Sequence, residues 1–305
     1  GSAIFVSPTS QKATEESAFI YEFTGLTITQ SQADGFAIYI DNNHQSFLIQ
    51  GGTFNFNQVT GNCGGIKLIN IEKVEISKCT FSNVGNSGAV NYVHNDIDEA
   101  YSIDVEECTF TECSGRGVQI DVKTGISDHI SLLNNHYERC KKGDSDSIIF
   151  GITETSNSIL LTAKNNVLQN SQTSGYTVQF SLNASPDNLD PIIFEDNTIN
   201  FDDANNAGHG ILVMQSNRDI TIRNCTFRHV FKGEDPYWAS TIIADKFRNV
   251  VIEDCKFNDC GINKAGNVIC IYTQVTKCRI ENCNIYFSIL GENTCGSAVS
   301  SYIDN

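Results

Sequence analysis

Apolar and polar positions along the chain alternate with a period of two over short runs rich in Val and Ile. The runs read GFAIYI, GGIKLI, SGAVNYV, GRGVQIDV, SIIFGI, GYTVQFSL, GHGILVM, STIIAD, GNVICIY and GSAVSSY. Such alternation marks strands with one buried face, and no stretch holds the 3.6-residue period of a helix for long. Midway between these runs a second phrase recurs: ISKCTF ending at Phe81, VEECTF at Phe110, IRNCTF at Phe227, IEDCKF at Phe257 and IENCNI at Ile285. Its fourth residue is Cys79, Cys108, Asn135, Asn166, Asn197, Cys225, Cys255 and Cys283, at steps of 27 to 31 residues. Gly52 and Ser31 extend the frame upstream less regularly.

Each repeat predicts strand, loop, strand, one-residue bend, short strand and loop. About 29 residues divided this way are too few for separate hairpins, so each strand must meet its own copy one repeat later. The copies then stack in parallel about 4.8 Å apart, as a coil of sheet closed around its own core. The expectation is an all-β solenoid of about ten coils with a period of about 29 residues. Residues 1–21 form a cap or incomplete first coil, and 22–305 form the solenoid. In the phrase, Ile and Phe point inward and the fourth residue turns the corner. Asn suits a corner because it tolerates left-handed angles and its amides can stack from coil to coil, and Cys because it is small and buryable. The eight marker residues are therefore expected to form a structural ladder.

The xIxxNxF…GIxL rhythm resembles the single-stranded right-handed parallel β-helix of the pectin-lyase-like superfamily, from about residue 22 to the end. CTFSNVGNSGAV (79–90) and NCGGIKL (62–68) are also similar to the FxxN and GGAI repeats of polymorphic membrane proteins, which are surface-exposed adhesins. Most coils depart from that second pattern by reducing GGA[ILV] to one Gly. The resemblances imply a β-helix, an extracellular or cell-surface location, and activity, where there is any, on the outer face of the glycine-led strand.

Composition narrows the classes. The 305 residues are 40% hydrophobic and 18% charged, with a formal charge of −16, four prolines and 23 glycines. Such a chain buries a sizeable core and is not disordered. No run of 18 or more apolar residues predicts membrane insertion by this segment. An acid excess without Lys/Arg clusters argues against nucleic acid as a partner. The twelve cysteines are an even count, which invites disulfides. However, the column Cys225, Cys255, Cys283 cannot pair completely, and in-register parallel neighbours such as Cys79/Cys108 and Cys113/Cys140 give poor disulfide geometry. Mostly buried thiols are expected, with Cys63 and Cys295 in loops where a local bridge can form. No CxxC or Cys-His spacing suggests zinc. The sequons at Asn183 and Asn224 matter only in a secreted chain.

On the outer face of the glycine-led strands, the alternation gives a central column of Tyr39, Lys67, Asn91, Gln119, Ile149, Gln179, Leu212, Ile243, Ile269 and Ser300. The next column is Asp41, Ile69, Val93, Asp121, Gly151, Ser181, Met214, Asp245, Ile271 and Tyr302. Its aspartates lie three or four coils apart. That is too far for a lyase's calcium-and-base site, or for a glycosidase pair about 5 to 9.5 Å apart. FDDANNAGHG (201–210) resembles the Asp-Asp and Gly-His-Gly elements of polygalacturonases and offers Asp202, Asp203 and His209 as catalytic candidates. Here both elements fall in one loop instead of on adjacent coils, and turn chemistry accounts for such a string. Asp96 with Asp98, and Asp144 with Asp146, are the metal candidates. Calcium is the only cofactor they suggest, without the twelve-residue loop that would define a site.

Two further features point to binding. Ile149, Leu212, Met214, Ile243, Ile269 and Ile271 form an aliphatic stripe that is either covered by a loop or docks another chain. Glu234, Asp235, Tyr237 and Trp238, in FKGEDPYWAS (231–240), can stack on a sugar, anchor a protein, or fold down as a lid. An uncapped last strand suggests a segment of a longer protein or an end that pairs in an oligomer. The expected function is a non-enzymatic β-helical segment of a surface protein, binding carbohydrate or protein through edge loops. The alternatives are a polysaccharide lyase or glycoside hydrolase of the same superfamily, and a structural fibre or tail segment.

Overall fold

The computed structural model describes residues 4–6, 20–30, 35–41, 46–56, 62–95, 100–122, 126–140, 150–154, 160–169, 176–182, 191–201, 209–214, 218–230, 240–260, 267–271, 275–286 and 299–301. They form three parallel sheets of eleven, ten and ten strands, with no helix among the described residues. The first sheet holds the glycine-led strands, from Ile4–Val6 through Gly35–Asp41 to Val299–Ser301. The second runs from Ile20–Thr24 to Lys277–Glu281, and the third, of short strands, from Thr27–Gln30 to Asn284–Tyr286.

Every strand pairs with its copy one repeat on. Val90 lies between Ile66 and Val118, and Phe81 between Phe54 and Phe110. The chain is thus an all-β parallel β-helix, as its period-two alternation predicts. About six turns hold a period near 28 residues, fewer regular ones than the expected ten. The loops cause the difference: 24 residues separate Ile66 from Val90, whereas 33 separate Val178 from Ile211.

In-register stacking puts like side chains over one another in the core. Phe54, Phe81, Phe110 and Tyr137 stack with ring centres 4.7, 5.1 and 4.6 Å apart and planes within 7°. Phe227 and Phe257 repeat the arrangement at 5.0 Å. Each ring is removed from water, worth about 1.5–3 kcal/mol, and the stack fixes the spacing of everything attached to it.

The corner corrects one detail of the sequence reading. The left-handed residue is the third of the phrase: Lys78, Glu107, Asn134, Asn165, Asp196, Asn224, Asp254 and Asn282, all with φ between 51° and 57°. Gly25 and Gly51 fill this position in the first two coils, at φ 63° and 65°. The bend sends the third side chain outward and the fourth inward, so the fourth residue does not carry the unusual backbone. The bend amide still pairs along the stack, as from Lys78 N–H to the Glu106 carbonyl at 2.9 Å. A second left-handed bend, at Asn83, Glu112, Arg139, His229 and Asp259, precedes buried Val84, Cys113, Cys140, Val230 and Cys260. In the first full coil the marker position belongs to Leu26, whose carbonyl accepts from Thr53, and not to Ser31, which lies outside the described residues.

Candidate functional site

Because the bend takes the marker's own amide out of the ladder, a side chain must satisfy it. Asn135, Asn166 and Asn197 do so in turn. Their Oδ1 atoms accept from the amides of Cys108, Asn135 and Asn166 at 2.9, 3.1 and 2.8 Å. Their Nδ2 groups donate to the carbonyls of Val105, Leu132 and Ala163, each at 2.8 Å. The thiols take the same places with longer bonds. Cys108 Sγ accepts from Cys79 N–H at 3.4 Å and donates to the Ile76 carbonyl at 3.5 Å. The Sγ atoms of Cys225, Cys255 and Cys283 reach the carbonyls of Phe194, Ile222 and Ile252 at 3.5, 3.7 and 3.7 Å. A thiol offers one weak donor and one weak acceptor where the carboxamide offers strong ones.

None of the eleven described cysteines forms a disulfide. Cys63 is buried in the strand Cys63–Ile69 and not in a loop, and Cys295 lies outside the described residues. Burial pushes the Cys225 thiol up in pKa, whereas the Cys225 contact draws its neighbour Cys255 down. The Cys140 contact, followed by burial, raises Cys113. Burial carries Cys260 to about 12.

On the first sheet's outer face the register runs Tyr39, Lys67, Asn91, Gln119, Gly151, Gln179, Leu212, Ile243, Cys270, Ser300. Gly151 therefore stands where the alternation placed Ile149, and Cys270 where it placed Ile269. Ile269 pairs with Ile242 and Ile271 with Ala244, and all four face inward and are buried. The strand there begins at Asn267, beside Ser240, so the preceding glycine does not mark the frame in that coil. Ile243 stands on the outer column yet is 0% exposed. Three of the six stripe residues are thus buried. Leu212 and Met214 are placed on the face by their backbone alone, and Ile149 lies outside the described residues. No bare aliphatic stripe is formed by the side chains described.

The other half of this face is polar and concave. Phe36, Lys67, Asn86, Ser87, Asn91, Arg116, Gln119 and Asp121 line a groove of about 380 Å³. The Lys67 ammonium lies 5.5 Å from the Phe36 ring centre and 5.8 Å from that of Tyr39, within cation–π range. Arg116 donates to Gln119 Oε1, and Gln119 Nε2 donates to Asp121 Oδ1. Tyr39 donates to Asp41 Oδ2 at 3.4 Å, and partial burial together with the Asp41 charge raises the phenol's pKa. Asn91 Oδ1 is buried and has no hydrogen-bond partner. Glycines shape the floor: a Cβ on Gly64 would collide with the Phe36 ring, and one on Gly88 (φ 86°) would come within 2.9 Å of the Arg116 carbonyl. Alternation alone displays Tyr39, Lys67, Asn91 and Gln119 as a column. Phe36 and Arg116 escape it because they enter the groove from strand starts and loops.

Asp41 and Asp121 stand three coils apart on this face, about 14 Å at the parallel-sheet spacing. On the second sheet's outer face the charges are mutually paired. Glu253 binds Arg279 at 3.0 Å and Arg223 at 3.9 Å, Lys164 lies 3.3 Å from Glu195, and His129 lies 3.1 Å from Asp104. His209 begins a first-sheet strand beside Tyr176 instead of lying in the preceding loop. Asp202, Asp203, Asp96, Asp98, Asp144, Asp146, Glu234, Asp235, Tyr237 and Trp238 lie outside the described residues. Among the described residues no three His, Cys, Asp or Glu side chains form a group that could hold a metal. No described helix is long and apolar enough to cross a membrane.

A family model described as a right handed beta helix region matches residues 148–303, just over half of the chain. The sequence matches no curated protein and no solved structure. The matched half and the unmatched half share one ladder, one register and one set of corners, and the chain belongs to the right handed beta helix family.

Proposed function

We propose that the chain is a non-catalytic carbohydrate-binding β-helix that lays a saccharide along the groove of its first sheet. The observation that carries this reading is the convergence of the Phe36 ring, the Lys67 and Arg116 cations and an unpartnered Asn91 carbonyl oxygen on one concavity, with the Tyr39 ring beside Lys67. Sugars present apolar C–H faces that pack on rings such as Phe36 and Tyr39. Their hydroxyls suit the mixed donors and acceptors of Asn91, Gln119, Arg116 and Asp121. Successive coils add one polar or aromatic side chain of the column Tyr39, Lys67, Asn91, Gln119 about every 4.8 Å, a spacing comparable to one pyranose. Asp41 and Asp121 are too widely separated for the two-carboxylate chemistry of a glycosidase, so this face supports binding more than hydrolysis.

A glycan array run on wild type, Lys67→Ala and Asn91→Ala tests the groove. Binding of the preferred glycan should fall at least about tenfold in each variant, a loss of about 1.4 kcal/mol. Trp238→Ala should leave it unchanged. An unaltered profile in the groove variants would remove the site, and a lost profile in Trp238→Ala would return it to the loop. New reducing or unsaturated ends after incubation with a polysaccharide panel would turn the assignment to an enzyme.

A further inference from the structure

Cys225, Cys255 and Cys283 occupy one corner position in three successive coils, since Thr226 pairs with Lys256 and Lys256 with Asn284, and each Sγ is turned the same way, towards a carbonyl of the preceding coil. The core rings two residues further on, Phe227 and Phe257, are 5.0 Å apart with planes 5° apart, so the column is straight at this point. Cys225 and Cys255 are buried, and Cys283 is half-buried. All three are free thiols. A hard or four-coordinate ion needs several ligands converging on one point, and no such group exists among the described residues. A soft ion with two sulfur ligands in a line needs only a stacked pair. Two metal–sulfur bonds of about 2.3 Å span about 4.6 Å, close to the coil spacing of about 4.8 Å.

The geometry points to the Cys225–Cys255–Cys283 column as a two-coordinate site for a soft monovalent cation, of which copper(I) is the biological representative. Sulfur selects such an ion over calcium or magnesium, and two ligands in a line do not meet the tetrahedral demand of zinc. On binding, the Cys255 S–H bond breaks and its proton leaves to solvent as an S–Cu bond forms. A lone pair of the Cys283 or Cys225 thiol makes the second bond while that sulfur keeps its proton. Copper stays in the +1 state throughout, and the complex is neutral overall. Neutrality matters because an isolated charge at this depth would pay a large desolvation penalty. The half-buried Cys283 gives the ion its way in. The pairs Cys79/Cys108 and Cys113/Cys140 are 0–1% exposed and provide no such entry.

The fold supplies its own control. Asparagine occupies the equivalent corner at Asn135, Asn166 and Asn197, with the hydrogen bonds that the thiols imitate. Cys255→Asn should therefore keep the β-helix and lose the ligand. The full chain, carrying Cys278→Ser and Cys295→Ser to remove the exposed thiol and the one outside the described residues, would be titrated anaerobically with bicinchoninate-buffered copper(I). One ion should bind per chain, releasing one proton, with a thiolate-to-copper ultraviolet band and a higher melting temperature. Cys255→Asn should abolish the band and the shift while its far-ultraviolet circular dichroism is unchanged. Should that variant misfold, Cys283→Asn at the half-exposed end takes its place. Copper(I) bound equally by both corner variants, or lost when only Cys278 and Cys295 are replaced, would overturn the site.

Discussion

At the scale of the residue, the corner shows why Asn and Cys alternate in one column. Each must accept from one buried amide and donate to one buried carbonyl, and both side chains are short enough to do so while facing inward. Asn166→Ala strands the Asn135 amide and the Leu132 carbonyl and leaves a small cavity, so urea denaturation should show a loss of about 2–4 kcal/mol. Asn166→Cys should cost only about 1 kcal/mol. Recurrence makes this ladder legible in the sequence, but the position of the left-handed backbone is not. Asn is itself the usual left-handed residue, which draws attention to the fourth position, whereas the third varies among Lys, Glu, Asn and Asp because its side chain faces water. Buried thiols also give a pH dependence. Cys260 has a folded-state pKa of about 12 against an ordinary 9.0, so the folded state favours its neutral form. That contribution is fully present below pH 9.0 and is lost as pH rises from 9.0 towards 12. The melting temperature should fall across that window, and Cys260→Ala should flatten the fall.

At the scale of the element, frame decides function. A slip of one residue exchanges every inward side chain for an outward one. Gly64 and Gly88 introduce strands in the frame that the alternation suggests, whereas the coil containing Ile269 begins its strand at Asn267. Three consecutive apolar residues, Val268–Cys270, cannot reveal their own phase, which is why the alternation puts Ile269 and Ile271 on an outer stripe although both are buried. The polar half is legible by contrast, because Lys67, Asn91 and Gln119 alternate cleanly with Ile66, Leu68, Val90, Tyr92, Val118 and Ile120. The floor of the groove is not, since a glycine's value lies in what its absent side chain allows. Gly64→Ala should tilt Phe36 off the strand and part it from Lys67. Glycan affinity should then fall several-fold by isothermal titration, with a stability loss of about 1–3 kcal/mol for the overpacking.

At the scale of the whole molecule, stability is a sum over neighbouring coils. Excising Thr80–Cys108, one full coil, joins Cys79 to Thr109 and brings Phe54 over Phe110 in unchanged register. The shortened chain should fold with the same circular dichroism per residue and a lower melting temperature. Excising Thr80–Glu107 instead leaves one extra residue, Cys108, at the tight corner after Cys79, and should lower the melting temperature further. The corner bonds also have a sense of direction. Every Asn of the ladder, and each of Cys108, Cys225, Cys255 and Cys283, attaches to the turn made before it. The turn still to come adds one side-chain contact, from Asn166 Nδ2 to Asn197 Oδ1, to a residue already anchored. A chain leaving the ribosome amino end first thus lays each winding onto a finished template, and an interruption of synthesis leaves the corner side chains of every finished winding anchored. This molecule can be built in the order in which it is read.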